Sequence, residues 1–140
     1  MAENDRLDEA TIAAMVEAIE DEYFARATYR KVIETFGPVR PFVNIVEAEN
    51  RHVHALLRLF DRFEMTPPKD NWVGRIDAPS SELQACQDAV DAEVANMEMY
   101  DRLLGQTSHP AVRTVLENLQ AASRDNHLPA FQRCAARGRR

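Results

Sequence analysis

The sequence contains little cysteine, few long apolar runs and no excess of basic charge. Cys86 and Cys134 are its two cysteines, too few for a disulfide framework. Neither belongs to a Cys-x-x-Cys pair, so we expect two small buried apolar side chains rather than a redox pair. No apolar run approaches the roughly 18 residues of a membrane helix. The polar, acidic start is unlike a signal peptide, and the default expectation is a cytoplasmic protein.

The charge balance is acidic, with 17 lysines and arginines against 23 aspartates and glutamates and a formal net charge of -6. This argues against a general nucleic-acid binder, whose surface would be basic. The composition is 45% hydrophobic and 29% charged, as in ordinary globular proteins. The length of 140 residues fits one domain over residues 1–140.

Four segments carry apolar residues at the period of about 3.6 that is typical of amphipathic helices, and none alternates like a strand. The predicted helices span residues 8–36, 41–63, 80–104 and 110–134. Short connections make helices 1 and 2, and helices 3 and 4, antiparallel pairs, whereas residues 64–79 are long enough to span a whole helix. We therefore predict an all-α four-helix bundle with one long crossover between helices 2 and 3. Pro129 should kink helix 4 or remove one of its backbone hydrogen bonds.

Five polar residues interrupt the apolar stripes of these predicted helices. Glu49 and His52 form a Glu-x-x-His pair, about one helical turn apart on one face. Glu22, Glu93 and His127 occupy inner positions on the other three helices. A buried carboxylate without a partner is costly, and a divalent cation would neutralise it and accept imidazole nitrogens. Mixed oxygen and nitrogen ligation suits iron, manganese or zinc.

A weak internal repeat relates the two predicted hairpins. Tyr29 follows Glu22 by seven residues, and Tyr100 follows Glu93 at the same spacing. The hairpins therefore look like diverged copies of one plan. We expect both tyrosines to be core aromatics with satisfied hydroxyls beside the candidate ligands.

These motifs resemble the ferritin-like superfamily, especially its rubrerythrin-like branch of short single-domain bundles. That template has one Glu from each of two helices and Glu-x-x-His from each of the other two. Glu22, Glu49, His52, Glu93 and His127 match it in order, and the resemblance extends from Ile12 to Phe131. The chain also looks like an uncharacterised ferritin-like family. The resemblance implies a non-haem site for one or two iron ions, with oxidase, peroxidase or iron-oxidation activity. A separate electron donor is expected, because a rubredoxin-like Cys-x-x-Cys module is missing.

Arg124 departs from this template, because it stands where the second Glu-x-x-His motif should have its glutamate. An arginine there could pair with Glu22 or Glu93. One metal, an unusual pair of metals and no metal all stay open. The alternative function is a metal-free degenerate bundle, acting as a structural or interaction module with an Arg124–carboxylate network. Iron or zinc buffering without turnover is a third reading, and a homodimer through an outer helix face also stays open.

Overall fold

The computed structural model describes residues 6–137; residues 1–5 and 138–140 of the predicted domain lie outside the described part. The described residues are helical and contain no strand, which confirms the all-α prediction. The helices are α1 (Glu9–Phe36), α2 (Phe42–Arg62), α3 (Glu82–Leu104), α4 (Pro110–Ala122) and α5 (Leu128–Arg137), with a π-helical turn at Ser123–His127 between the last two. None of the helices of residues 6–137 is long and apolar enough to cross a membrane.

Local capping residues explain where the helices begin and end. The side chains of Asp8 and Ser81 accept hydrogen bonds from backbone N–H groups three residues on, at 2.8 and 3.0 Å, as good N-caps do. Pro110 opens α4 at a position where its missing N–H costs nothing. Gly37 ends α1 at φ 90°, a left-handed backbone conformation that favours glycine.

The predicted irregularity near Pro129 takes the form of the π turn that precedes it. The N–H of Leu128 bonds to the carbonyl of Ser123, five residues back. A π turn holds one residue more than an α turn. Ser123, four residues before His127, lies on the same face as His127 and is buried with it, whereas Arg124, three residues before His127, is turned away from that face.

The core consists of two apolar clusters. The first contains Met15, Leu56, Leu103 and Leu116, among others. The second contains Val32, Phe42, Ala89 and Phe131, among others. Along α1, and from α4 to α5, the chain passes from the first cluster to the second, whereas α2 and α3 pass in the opposite direction. Glu49, His52, Glu93 and His127 fall between the clusters in sequence, and Glu22 lies beside Tyr23 at the end of the first cluster. A polar layer therefore divides the core.

The long connection over residues 63–81 packs against α1. The Tyr23 hydroxyl donates to the Pro68 carbonyl at 3.0 Å, and Arg26 pairs with Asp70 at 3.1 Å. The ring of Trp72 lies 4.7 Å from that of Phe24. These contacts cover part of the outer face of α1.

The two cysteines are buried, as expected, but they do not remain separate. Cys86 of α3 and Cys134 of α5 form a disulfide with Cα atoms 5.7 Å apart, within the usual range for such bonds. The expectation of two separate thiols is therefore wrong. The predicted antiparallel pairing of residues 80–104 and 110–134 brings the end of the chain beside the start of α3, but nothing in the sequence showed that these two cysteines meet.

Candidate metal centre

The structure brings together all five residues that the sequence singled out. Glu22, Glu49 and Glu93 are each 1% exposed, His127 is 2% exposed and His52 is 8% exposed. Each lies on the inner face of its helix because the surrounding apolar stripe has to be buried. The result is three carboxylates and two imidazoles in one dry layer.

The first group of ligands consists of Glu22, Glu49 and His52. The His52 Nδ1 atom lies 3.5 Å from Glu22 Oε2 and 3.5 Å from Glu49 Oε2. One ligand atom from each residue lies within 4.8 Å of the others. Metal bonds of about 2.0–2.2 Å to oxygen and nitrogen fit ligand atoms at this separation. We call this group the first triad.

The second group consists of Glu49, Glu93 and His127, and it meets the same distance limit. The His127 Nδ1 atom lies 2.8 Å from Glu93 Oε1 and 3.2 Å from Glu49 Oε1. Glu49 therefore presents Oε2 to the first triad and Oε1 to this second triad. The two imidazole rings stack with centroids 5.2 Å apart. A carboxylate shared in this way is suited to bridge two cations.

Three buried atoms of the first triad have no hydrogen-bond partner among the described residues: Glu22 Oε2, Glu49 Oε2 and His52 Nδ1. Buried polar atoms are almost always partnered, and leaving one unpaired costs roughly 1–3 kcal/mol. Here all three face one another at about the separation that metal ligands require. The residues present therefore fit a bound cation better than they satisfy one another.

The electrostatics of the cluster lead to the same conclusion. Burial, followed by the charge of Glu49, raises the pKa of Glu22 to about 7. Burial opposes the charged form of His52, but the carboxylates of Glu22 and Glu49 outweigh it and raise its pKa to about 10. Burial likewise opposes the charge on His127, whose pKa is raised to about 9 by Glu49 and Glu93. Without a cation, the layer must hold protons to offset its negative charge.

Two buried tyrosines hold the outer carboxylates. The Tyr100 hydroxyl donates to Glu22 Oε1 at 2.6 Å, and the Tyr29 hydroxyl donates to Glu93 Oε2 at 3.0 Å. The prediction that both tyrosine hydroxyls are satisfied is confirmed. Each tyrosine donates to the glutamate of the other repeat, Tyr29 to Glu93 and Tyr100 to Glu22. Burial and the neighbouring carboxylates raise both tyrosine pKa values, so both remain donors. The second carboxylate oxygen of each glutamate, Glu22 Oε2 and Glu93 Oε1, faces the other ligands of its triad.

Sequence reasoning missed a polar chain beside the first triad. The Asn96 side-chain amide donates to Asp21 Oδ2 at 2.7 Å and to Glu22 Oε1 at 3.4 Å. The buried Ser123 hydroxyl donates to Asn96 Oδ1 at 2.7 Å. Asn96 follows Glu93 by three residues, so its position on that face was readable from the helical period. The position of Ser123 was also readable, because it precedes His127 by four residues on the inner stripe of the predicted fourth helix, but its hydrogen bond to Asn96 was not.

Arg124 is absent from the site. Its side chain is more than half exposed and pairs with the neighbouring Asp125 at 2.9 Å. The expectation that Arg124 would pair with Glu22 or Glu93 is therefore wrong, and a metal-free network cannot depend on this cation. The reason is the π turn, which breaks the one-turn spacing between residue 124 and His127.

The comparisons with known proteins place the chain in a family. Residues 11–86, more than half of the chain, match the family described as "Uncharacterized protein domain (DUF2202)", and the protein belongs to that family. It is 25% identical over 134 residues to "Uncharacterized protein MJ0754" of Methanocaldococcus jannaschii, covering 85% of this chain and 71% of that protein. The crystal structure of hypothetical protein MJ0754 from Methanococcus jannaschii DSM 2661 has a TM-score of 0.85 at 23% identity. That similarity covers 95% of this chain and 83% of the other, and it shows a shared fold.

Proposed function

We propose that this protein is a ferritin-like non-haem metal protein that binds two divalent ions, best suited to iron, one in each triad. The observation that carries the proposal is Glu49, whose two oxygens face different sets of ligands. The proposed fold is a four-helix bundle in which α4 and α5 together act as the fourth helix. The connection over residues 63–81 is then the long crossover, which agrees with α2 and α3 running in the same direction.

The charges fit one ion or two, because against three carboxylates one divalent cation leaves a net charge of -1 and two leave a net charge of +1. Two neutral imidazoles complete the donor set, and the second ion rests on the two-sided position of Glu49. Manganese and zinc accept the same mixture of oxygen and nitrogen, so the donors alone do not select iron. The ferritin-like template, in which such sites hold two irons or two manganese ions, favours a redox-active metal.

The two triads would hold a pair of ferrous ions, which would supply the two electrons needed to reduce peroxide to water. The protein contributes the surroundings of that reaction. The apolar clusters on both sides of the polar layer limit water, while Tyr29 and Tyr100 fix the orientation of Glu93 and Glu22. The electrons that restore the ferrous state would come from a separate donor. The two cysteines of this chain form a disulfide with each other and do not make a Cys-x-x-Cys metal site.

A metal-free structural bundle is the competing function, and one contact favours it. His127 already pairs with Glu93 at 2.8 Å, so a protonated ring satisfies part of the second triad. In the first triad a protonated His52 ring is farther from its carboxylates, with Nδ1 3.5 Å from both Glu22 Oε2 and Glu49 Oε2, and these three atoms form no hydrogen bond. The metal-binding function therefore accounts for more of the buried polar atoms.

The test is the reaction of the protein, loaded anaerobically with ferrous iron, with a limiting amount of hydrogen peroxide. One peroxide takes up two electrons and two protons to give two waters, so two ferrous ions should be oxidised per peroxide. We expect this oxidation to be faster than that of free ferrous iron and to release no hydroxyl radical to a spin trap. Oxidation at the free-iron rate, with trapped radical, would contradict the proposal.

Glu49→Gln and Glu47→Gln provide the matched comparison. Both changes remove one carboxylate charge from α2, but Glu47 is exposed and Glu49 is buried between the triads. Fast oxidation should survive in the Glu47 variant and disappear in the Glu49 variant.

A further inference from the structure

A half-open cleft between α1 and α3 leads to the second triad. Its volume is about 110 Å³, whereas a site for one water needs roughly 10–15 Å³ of such space. Ala25 of α1 and Ala92 of α3 line it, together with the buried side chains of Glu93 and Asn96. Because the side chains of the two alanines are small, they leave space beside a proposed metal ligand.

The mouth of the cleft disfavours anions. Asp21 and Phe24 line both the cleft and a neighbouring surface depression, which also contains Glu17, Glu20 and Trp72. Glu17 is paired with Arg102, but Asp21 and Glu20 lack a basic partner among the described ion pairs. An uncharged molecule passes such a mouth more readily than an anion does.

We propose that this cleft admits and binds the oxidant of the metal centre, a small uncharged molecule with an O–O bond, either dioxygen or hydrogen peroxide. The inference rests on the proposed metal function. It adds the route, which runs past Ala25, Thr28 and Ala92 to the carboxylate of Glu93.

The first arm of the test fills the cleft. In ferrous-loaded protein, Ala92→Leu should slow oxidation at least tenfold with iron per chain unchanged. Ala10→Leu is the control, because Ala10 is exposed on α1 and distant in sequence from the cleft residues. Unchanged oxidation rates in an Ala92→Leu protein that retains its iron would overturn the route.

The second arm identifies the oxidant by giving dioxygen and hydrogen peroxide separately to ferrous-loaded Ala92→Leu. Slower oxidation by only one of the two would assign the cleft to that oxidant, and slower oxidation by both would assign the cleft to both.

A third arm requires no metal. Dissolved dioxygen is paramagnetic and speeds the NMR relaxation of methyl groups that it reaches. In metal-free protein we expect strong relaxation at the methyl groups of Ala25, Thr28 and Ala92, and little at fully buried Ala18. Filling the cleft with Ala92→Leu should abolish the effect at Ala25 and Thr28. Relaxation no greater than at Ala18 would overturn the cleft inference, whatever the fate of the metal proposal.

Discussion

Glu49→Gln should remove the stabilising effect of both metal ions, because Glu49 is the residue that the two triads share. A ligand present at 100 times its Kd stabilises a folded protein by about 2.7 kcal/mol per site. Two sites together contribute roughly 5 kcal/mol. At roughly 4 °C per kcal/mol for a chain of this size, zinc should raise the Tm of the wild-type protein by about 20 °C. Zinc suits the assay because it is redox-inert and accepts the same donors.

The assay is thermal unfolding of each variant with and without zinc, so that each variant serves as its own baseline. We expect a zinc-dependent shift below about 3 °C for Glu49→Gln and roughly half the wild-type shift for Glu22→Gln, which belongs to the first triad alone. Glu47→Gln should retain the full shift. Equal losses in the Glu49 and Glu22 variants would refute the sharing of Glu49.

Four further results follow from the same structure. In metal-free protein, the raised pKa values of His52 and His127, about 10 and about 9, mean that protonated rings add stability. This contribution is complete below about pH 6.5 and is lost as the pH rises through 9–10; Tm measured from pH 7 to pH 10 should therefore fall. Tyr100→Phe should weaken zinc binding 10- to 100-fold in calorimetry, because it frees Glu22. Arg124→Ala should change the free energy of unfolding by less than about 0.5 kcal/mol in urea, since the residue is exposed. Cys86→Ser should lower that free energy by about 4 kcal/mol, because the disulfide closes a loop of 48 residues.

Much of the fold was predictable because helical periodicity and capping are local properties. The predicted start of helix 1 at residue 8 and its end at 36 differ from the structure by no more than one residue. The long fourth helix was harder, because Pro129 predicted an irregularity but not that it would be a π turn over Ser123–His127. No sequence pattern within Ser123–His127 predicts a π turn.

The candidate ligands were predictable for a different reason. A carboxylate or imidazole on an apolar stripe has to be buried with the stripe, and five such residues from four helices converge. The contacts between them were not readable, because they join segments far apart in sequence. Tyr100 and Glu22 are 78 residues apart, and only the packed helices show that each tyrosine reaches across to the other repeat.

The central claim is tested most directly by counting metal ions. The measurement is elemental mass spectrometry of protein purified without chelator, reloaded anaerobically with ferrous iron and freed of excess metal. The account predicts about two irons per chain, about two in Glu47→Gln and close to none in Glu49→Gln. No iron in the wild-type protein would contradict the metal centre, and two irons retained in Glu49→Gln would contradict the shared ligand.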